Sequence, residues 1–165
     1  MHQSTCRAAT LDDIPAILEI TNHEILNSTV LYEYEPRTIE QQTDWFNEKT
    51  ENNWPILVAE LNGKVVGFGT YGPFRARAAY RHSIEHSVYV QKDFRGKTVG
   101  HQLMVELIRL ARIGGYHTMI AGIDSSNKGS VEFHRKFGFE TVGTFREVGF
   151  KFNRWLDVVF MQLML

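Results

Sequence analysis

Residues 98–113 narrow the range of folds open to this chain more than any other stretch. Val99, Leu103, Leu107, Leu110 and Ala111 recur at three- and four-residue spacing, which lays one apolar stripe along an amphipathic helix. Gly114-Gly115 ends the pattern. Before it, His86–Val90 reads as a strand by its β-branched and aromatic content, and His117–Ile123 reads as another behind it. A strand, helix and strand in succession need a sheet with a helix on its face, so the chain is expected to be α/β.

The rest of the chain adds elements in the same style. Cys6–Ala9 reads as a short strand, and Thr10-Leu11-Asp12-Asp13 supplies capping side chains for a helix carrying Ile14, Ile17, Leu18 and Ile25 to about Asn27. A second helix is expected from near Thr38, with Trp45 and Phe46 opposite Glu40 and Glu48, ending before Pro55. Ile56–Leu61 and Lys64–Phe68 flank Asn62-Gly63, whose readiness for positive φ marks a type I′ hairpin. Asn127–Lys136 is expected as a short helix, with Glu140–Thr144 and Trp155–Leu163 as strands. An early, mostly antiparallel sheet thus meets the later strand-helix-strand unit. There is no repeat or linker, and 165 residues suit a single domain, 1–165.

Composition bounds the partners. Eighteen basic and 19 acidic residues leave a net charge of -1, which gives no field for collecting nucleic acid or acidic lipid. No apolar run approaches the roughly 20 residues that span a bilayer, so no membrane association is expected. The amino-terminal MHQSTCRAAT lacks the apolar core of a secretory signal, and the single cysteine, Cys6, has no internal disulfide partner. Cys6 reads as buried filler rather than a nucleophile. A cytoplasmic protein with a small-molecule ligand is expected.

Arg95-Gly96-Lys97-Thr98-Val99-Gly100 lies between a strand and the clearest helix, where backbone N–H groups and the helix dipole can face an anion such as phosphate. An ordinary βα turn with solvated Arg95 and Lys97 would read the same. It is neither a Walker A loop nor a full dinucleotide glycine pattern. Val88–Gly100 resembles the acetyl-coenzyme A signature of the GNAT N-acetyltransferase superfamily, a strand followed by an Arg/Gln-x-x-Gly-x-Gly/Ala turn. Thr98 departs from the usual middle glycine. Asn127-Lys128-Gly129-Ser130 and then Phe133–Phe139 resemble the second cofactor segment of that family. The resemblance implies a GNAT-like central mixed, twisted sheet of about seven strands flanked by helices. It also implies acetyl-CoA as co-substrate, no metal, and cofactor contacts from Val88, Tyr89, Val90, Arg95, Gly96, Lys97, Thr98, Val99, Gly100, His101, Asn127 and Ser130.

Ser28-Thr29-Val30, Gly72–Tyr80, Glu85–Val90 and Gly149–Asp157 narrow the likeness to the branch of phosphinothricin and methionine sulfoximine acetyltransferases. That branch implies a homodimer and an amino-acid analogue as acceptor: phosphinothricin, methionine sulfoximine or methionine sulfone. It implies that Arg75 and Arg77 bind the substrate's acidic end, that Glu85 lies near the amine, and that Tyr32, Ala76, Tyr80, His86, Ser87 and Val158 shape the pocket. Arg75 and Arg77 alternate with Ala76 and Ala78, so an extended stretch would aim both guanidiniums to one side. A solvated arginine pair is the plainer reading. His134 stands where many GNAT enzymes carry a tyrosine proton donor, and a histidine can also accept a proton near neutral pH.

A protonated amine must lose a proton before it attacks a thioester, so a base is required. Glu85, directly or through water, and His134 are the catalytic candidates, with backbone N–H groups on the strand from Val88 available to an oxyanion. Read without the family, Glu85 is a solvated strand charge and His134 a surface or capping residue. Phe137, Phe139, Phe150 and Trp155 read as core or subunit contact. Two rivals stand beside acetyl transfer to this or another small amine. His82-Ser83-Ile84-Glu85-His86 matches a His-x-x-Glu-His zinc-peptidase pattern, which needs both histidines on one helix face. A non-catalytic coenzyme A sensor is the other.

Overall fold

In β2 (Ile56–Leu61), Ile56 and Val58 point to one side and Leu57 and Ala59 to the other, and all four are buried. Both faces of this strand must therefore be covered. The computed structural model describes residues 4–165; residues 1–3, part of the stretch read above for a leader, lie outside them. Ile14, Ile17 and Ile20 of α1 (Ile14–Asn27) and Phe46 of α2 (Ile39–Glu51) join Ile56 and Val58 on one face. On the other, α3 (Val99–Ile113) drives Val99, Leu103, Leu107 and Ala111 against Leu57 and Ala59, as its sequence periodicity requires. Each such fully buried Leu or Ile contributes roughly 1.5–3 kcal/mol.

The remaining elements are β1 (Thr5–Ala8), β3 (Lys64–Pro73), β4 (Ser83–Val90), β5 (Thr118–Asp124), α4 (Lys128–Arg135), β6 (Glu140–Lys151) and β7 (Arg154–Met164). They complete one seven-stranded sheet in the order β1-β2-β3-β4-β5-β7-β6. All neighbours are antiparallel except β4 and β5, which α3 connects in parallel. Asn62 and Gly63 both take positive φ, 52° and 77°, in the β2–β3 turn. Thr38 caps α2 by accepting from the Gln41 N–H, and Asn127 caps α4 by accepting from that of Ser130. No helix among the described residues is long and apolar enough to cross a membrane.

The functional consequence lies at the middle of the sheet. β4 and β5 pair only through Ser83–Glu85 and Thr118–Ile120, although β4 continues to Val90 and β5 to Asp124. Past Glu85 and Ile120 each strand is bonded, among the described residues, only on its outer side, to β3 and to β7. The two central strands diverge and the sheet opens between them.

Several elements differ from the sequence expectation. β3 reaches Pro73, and β4 starts at Ser83 rather than His86. β6 runs on to Lys151 instead of stopping near Thr144. A register shift between Phe145 and Gly149, with Glu147 at φ 53°, erases the alternation that would have revealed it. Phe139 is buried and Phe137 partly so, but Phe150 and Trp155 are exposed in the chain, packed edge-to-face at 5.0 Å.

Candidate active site

Two adjoining cavities meet at this opening, the first between β4 and β5 and the second beside it between the end of β4, the start of α3 and α4. The first, about 530 Å³, collects Tyr32, Arg75, Glu85, His86, Ser87, Val88, Tyr89, Asn127, Ser130, His134 and Val158. The second, about 830 Å³, collects Val88, Tyr89, Val90, Arg95, Gly96, Thr98, Gly100, His101, Asn127 and Ser130. Thr29, Val30, Val88, Tyr89, Asn127 and Ser130 line both, so the two communicate.

The second cavity is headed by the N-terminus of α3. The first backbone N–H to bond back is that of Gln102, to the Thr98 carbonyl. Those of Val99, Gly100 and His101 therefore have no intrahelical acceptor and suit an anion. A Cβ at Gly100 would sit at ordinary contact distance from Val90 and Phe133, 3.6 and 3.7 Å, so the glycine keeps the approach to those N–H groups open without being forced by the fold. Arg95 is less free than its motif suggests. Its guanidinium pairs with Glu24 and its Nε donates to the Val90 carbonyl at 3.0 Å, which ties the turn to α1 and to the end of β4. A phosphate-bearing cofactor fits this donor set. Val99, by contrast, is buried in the core and offers only its backbone, while Lys97 places its ammonium 5.1 Å from the Phe94 ring, away from either cavity.

The first cavity gathers proton-handling groups. Burial pushes the Glu85 carboxyl up, and the Arg75 guanidinium partly offsets this. Gly122 of β5 makes room for that carboxylate, since a Cβ there would come 3.3 Å from Glu85 Oε1. His134 Nδ1 lies 2.6 Å from the Ser130 carbonyl, and its Nε2 lies 3.1 Å from His86 Nε2. Burial lowers the pKa of His134, and burial together with His134 lowers that of His86 to about 3.

The paired-arginine expectation needs correction. Residues 74–77 bend and lead into a short 3-10 turn at Ala78–Tyr80, so the alternation that would have aligned Arg75 with Arg77 does not exist. Arg75 stays at the cavity, stacked 4.1 Å from the centre of the Phe74 ring. Ala76, Arg77 and Tyr80 are exposed and lie outside both cavities, Tyr80 packing edge-on against Phe74. The peptidase pattern fails on geometry as well. His82 lies in the turn just before β4 and His86 inside that strand, so the two histidines do not share a helix face.

Sequence reasoning missed three polar side chains that build the site. Glu24 is 2% exposed on the buried face of α1, a carboxylate in register with Ile17 and Ile20, which was a legible signal. Asp124, closing the apolar run of β5, accepts from Thr29 and Ser126 and pairs with Arg154 of the second cavity. Lys151 donates to the carbonyls of Ser28 and Leu31, at 2.9 and 2.5 Å, and so fixes the segment that roofs both cavities. Nothing local to the sequence marks it.

Comparisons with known proteins agree with this geometry. The model of the acetyltransferase (GNAT) domain family matches residues 6–160. The chain is 42% identical over 161 residues to an L-methionine sulfoximine/L-methionine sulfone acetyltransferase of Pseudomonas paraeruginosa, covering 97% of this chain and 94% of that protein. Among solved structures, a phosphinothricin acetyltransferase from Sinorhizobium meliloti in complex with AcCoA superposes with a TM-score of 0.95 at 37% identity, over 98% of this chain and 88% of that one. A ribosomal-protein-alanine N-acetyltransferase from Brucella melitensis does so with a TM-score of 0.96 at 43% identity, over 98% and 99%. With a family model spanning nearly the whole chain and an opened central sheet to match, this protein belongs to the GNAT acetyltransferases.

Proposed function

We propose that this enzyme moves an acetyl group from acetyl-CoA to the free α-amine of a small amino-acid analogue with a tetrahedral, oxygen-rich end, such as methionine sulfoximine, methionine sulfone or phosphinothricin. The observation that carries this reading is the continuity of the two cavities: an anion-suited helix terminus in one, and Glu85 with Arg75 in the other. Acetyl-CoA supplies the activated acyl group when bound. Val99, Gly100 and His101 present backbone N–H groups to its phosphates, and Arg95, braced by Glu24, holds their turn in place. Arg75 faces the acceptor's acidic end, while Glu85, its basicity raised by burial, takes the ammonium proton directly or through water. Past Glu85 the inner edge of β4 has no strand partner among the described residues, so its backbone N–H groups are free to stabilise developing negative charge.

Two copies are proposed to pair through β6, the outer strand of the sheet, whose side chains are exposed except at Gly149 and Lys151. A reducing cytoplasm is the proposed compartment, since the single Cys6 has no cysteine to pair with. The test of the reaction is release of free thiol from acetyl-CoA across an acceptor panel. The sulfoximine, the sulfone and phosphinothricin should each give steady turnover well above polyamines, aminoglycosides and peptides with a free amino terminus. Preference for the peptides would overturn the acceptor class, and no turnover with any amine would favour a coenzyme A sensor.

A further inference from the structure

His86 and His134 bring their Nε2 atoms within 3.1 Å of each other, with ring centres 5.0 Å apart. Only one of those nitrogens can carry the shared proton. His134 Nδ1 lies 2.6 Å from the Ser130 carbonyl oxygen, which can only accept, so Nδ1 is the protonated nitrogen of that ring. In a neutral His134 the Nε2 is then bare, and His86 donates to it through its own Nε2–H. His86 Nδ1 becomes the unprotonated nitrogen, and it is buried with no partner among the described residues. The reverse arrangement, a charged His134 donating to His86, would leave a buried N–H of His86 unpaired, a rarer and costlier defect than an unpaired acceptor. Burial acts against charge on both rings, reinforced at His86 by the adjacent imidazole and partly offset at His134 by the bond to the Ser130 carbonyl.

We propose that His86 is a positioning residue for acetyl transfer: its Nε2–H occupies the Nε2 lone pair of His134, so that His134 cannot take the amine's proton and Glu85 is left to do so. The proton balance is simple. The ammonium N–H bond breaks, the proton passes to the Glu85 carboxylate, and the histidine pair keeps its single shared proton throughout. The other titratable or charged groups around the cavity are Tyr89 of β4, Arg75 after β3, Asp124 of β5 and Tyr32 after α1.

The kinetic arm rests on the acetyl-transfer reading above, whereas the spectroscopic arm does not. Nitrogen-15 NMR of the histidine side chains in the wild-type enzyme without substrate, with His134→Asn for assignment, should find His134 neutral at pH 7, protonated on Nδ1 and bare on Nε2. His134 protonated on Nε2, or charged, overturns the proposal without needing any other variant to fold. In His86→Phe the freed Nε2 should become able to take a proton, below the ordinary histidine range because the burial remains, and add an inflection to the pH profile of kcat/KM, with KM for acetyl-CoA unchanged. His86→Gln, which keeps a side-chain N–H donor, should restore the wild-type profile. Glu85→Gln should lower kcat/KM by about 10²- to 10⁴-fold, and His134→Asn by less than about tenfold. An unchanged His134 titration in His86→Phe, or a larger loss in His134→Asn than in Glu85→Gln, overturns the proposal. Wild-type enzyme that releases no thiol with any amine would sink the functional reading and leave the tautomer result standing.

Discussion

Thr98 sits just ahead of α3 with φ at 67°, in the left-handed region that a β-branched residue seldom enters. Holding an L-residue there costs roughly 1–2 kcal/mol, and glycine would return about 0.4–1 kcal/mol of that through its freer unfolded chain. Thr98→Gly should therefore raise stability by about 0.5–1 kcal/mol, seen as a higher urea midpoint at an unchanged slope. An unchanged or lower midpoint would show that the threonine is not strained. The position was legible as a departure from the glycine of the resembling signature, but its φ was not, because the turn and the helix it opens are set by packing around Val99 and Arg95. At this scale the sequence was most informative where chemistry and position coincide. Glu85 and His134 stand out by residue type and line one cavity. Arg77 stands out equally and lies outside it, because its placement depended on a backbone that bends after Phe74.

Elements add a dependence that single residues do not show. The segment between α1 and α2 lines both cavities, yet what fixes it comes from the far end of the chain, where Lys151 closes β6 and is only 3% exposed. Its ammonium satisfies two carbonyls, and charge-assisted bonds of this kind contribute roughly 1.5–3 kcal/mol each. Lys151→Met keeps the length but strands the carbonyls of Ser28 and Leu31, so stability should fall by about 2 kcal/mol. The KM values for acceptor and acetyl-CoA should rise together with kcat little changed, because the roof is loosened while Glu85 is untouched. A change confined to kcat in steady-state assays would instead place Lys151 in the chemistry. The helices and the β2–β3 hairpin were readable because periodicity, caps and Asn62-Gly63 are local signals. The extension of β6 was not, since a strand with both faces exposed and a bulge at Glu147 carries no alternation to read.

At the scale of the whole molecule, the α/β class and the strand-helix-strand unit were readable from the sequence, whereas the divergence of β4 from β5 is a tertiary fact about where two parallel strands stop pairing. The same scale holds the remaining unexplained surface. β6 ends the sheet, has no strand partner on its outer edge among the described residues, and exposes Val142, Phe145 and Val148 in a molecule of 19.0 kDa. A long edge strand with exposed apolar side chains is a site for pairing with another chain, and native proteins otherwise guard such edges with charge or cover. If two copies cover one another there, the wild-type enzyme at micromolar concentration should sediment at about twice 19.0 kDa. Val142→Asp, on the exposed edge and outside the first cavity, should halve that mass without unfolding the chain. The kinetic consequence should be one-sided. Phe145 and Val148 of β6 line the first cavity, whereas no β6 residue lines the second. Separated copies should therefore bind the acceptor more weakly while KM for acetyl-CoA stays the same. A wild-type enzyme that sediments as a single chain would remove β6 as a self-association surface, and an equal rise in both KM values would mean that the substitution disturbed the fold rather than the pairing.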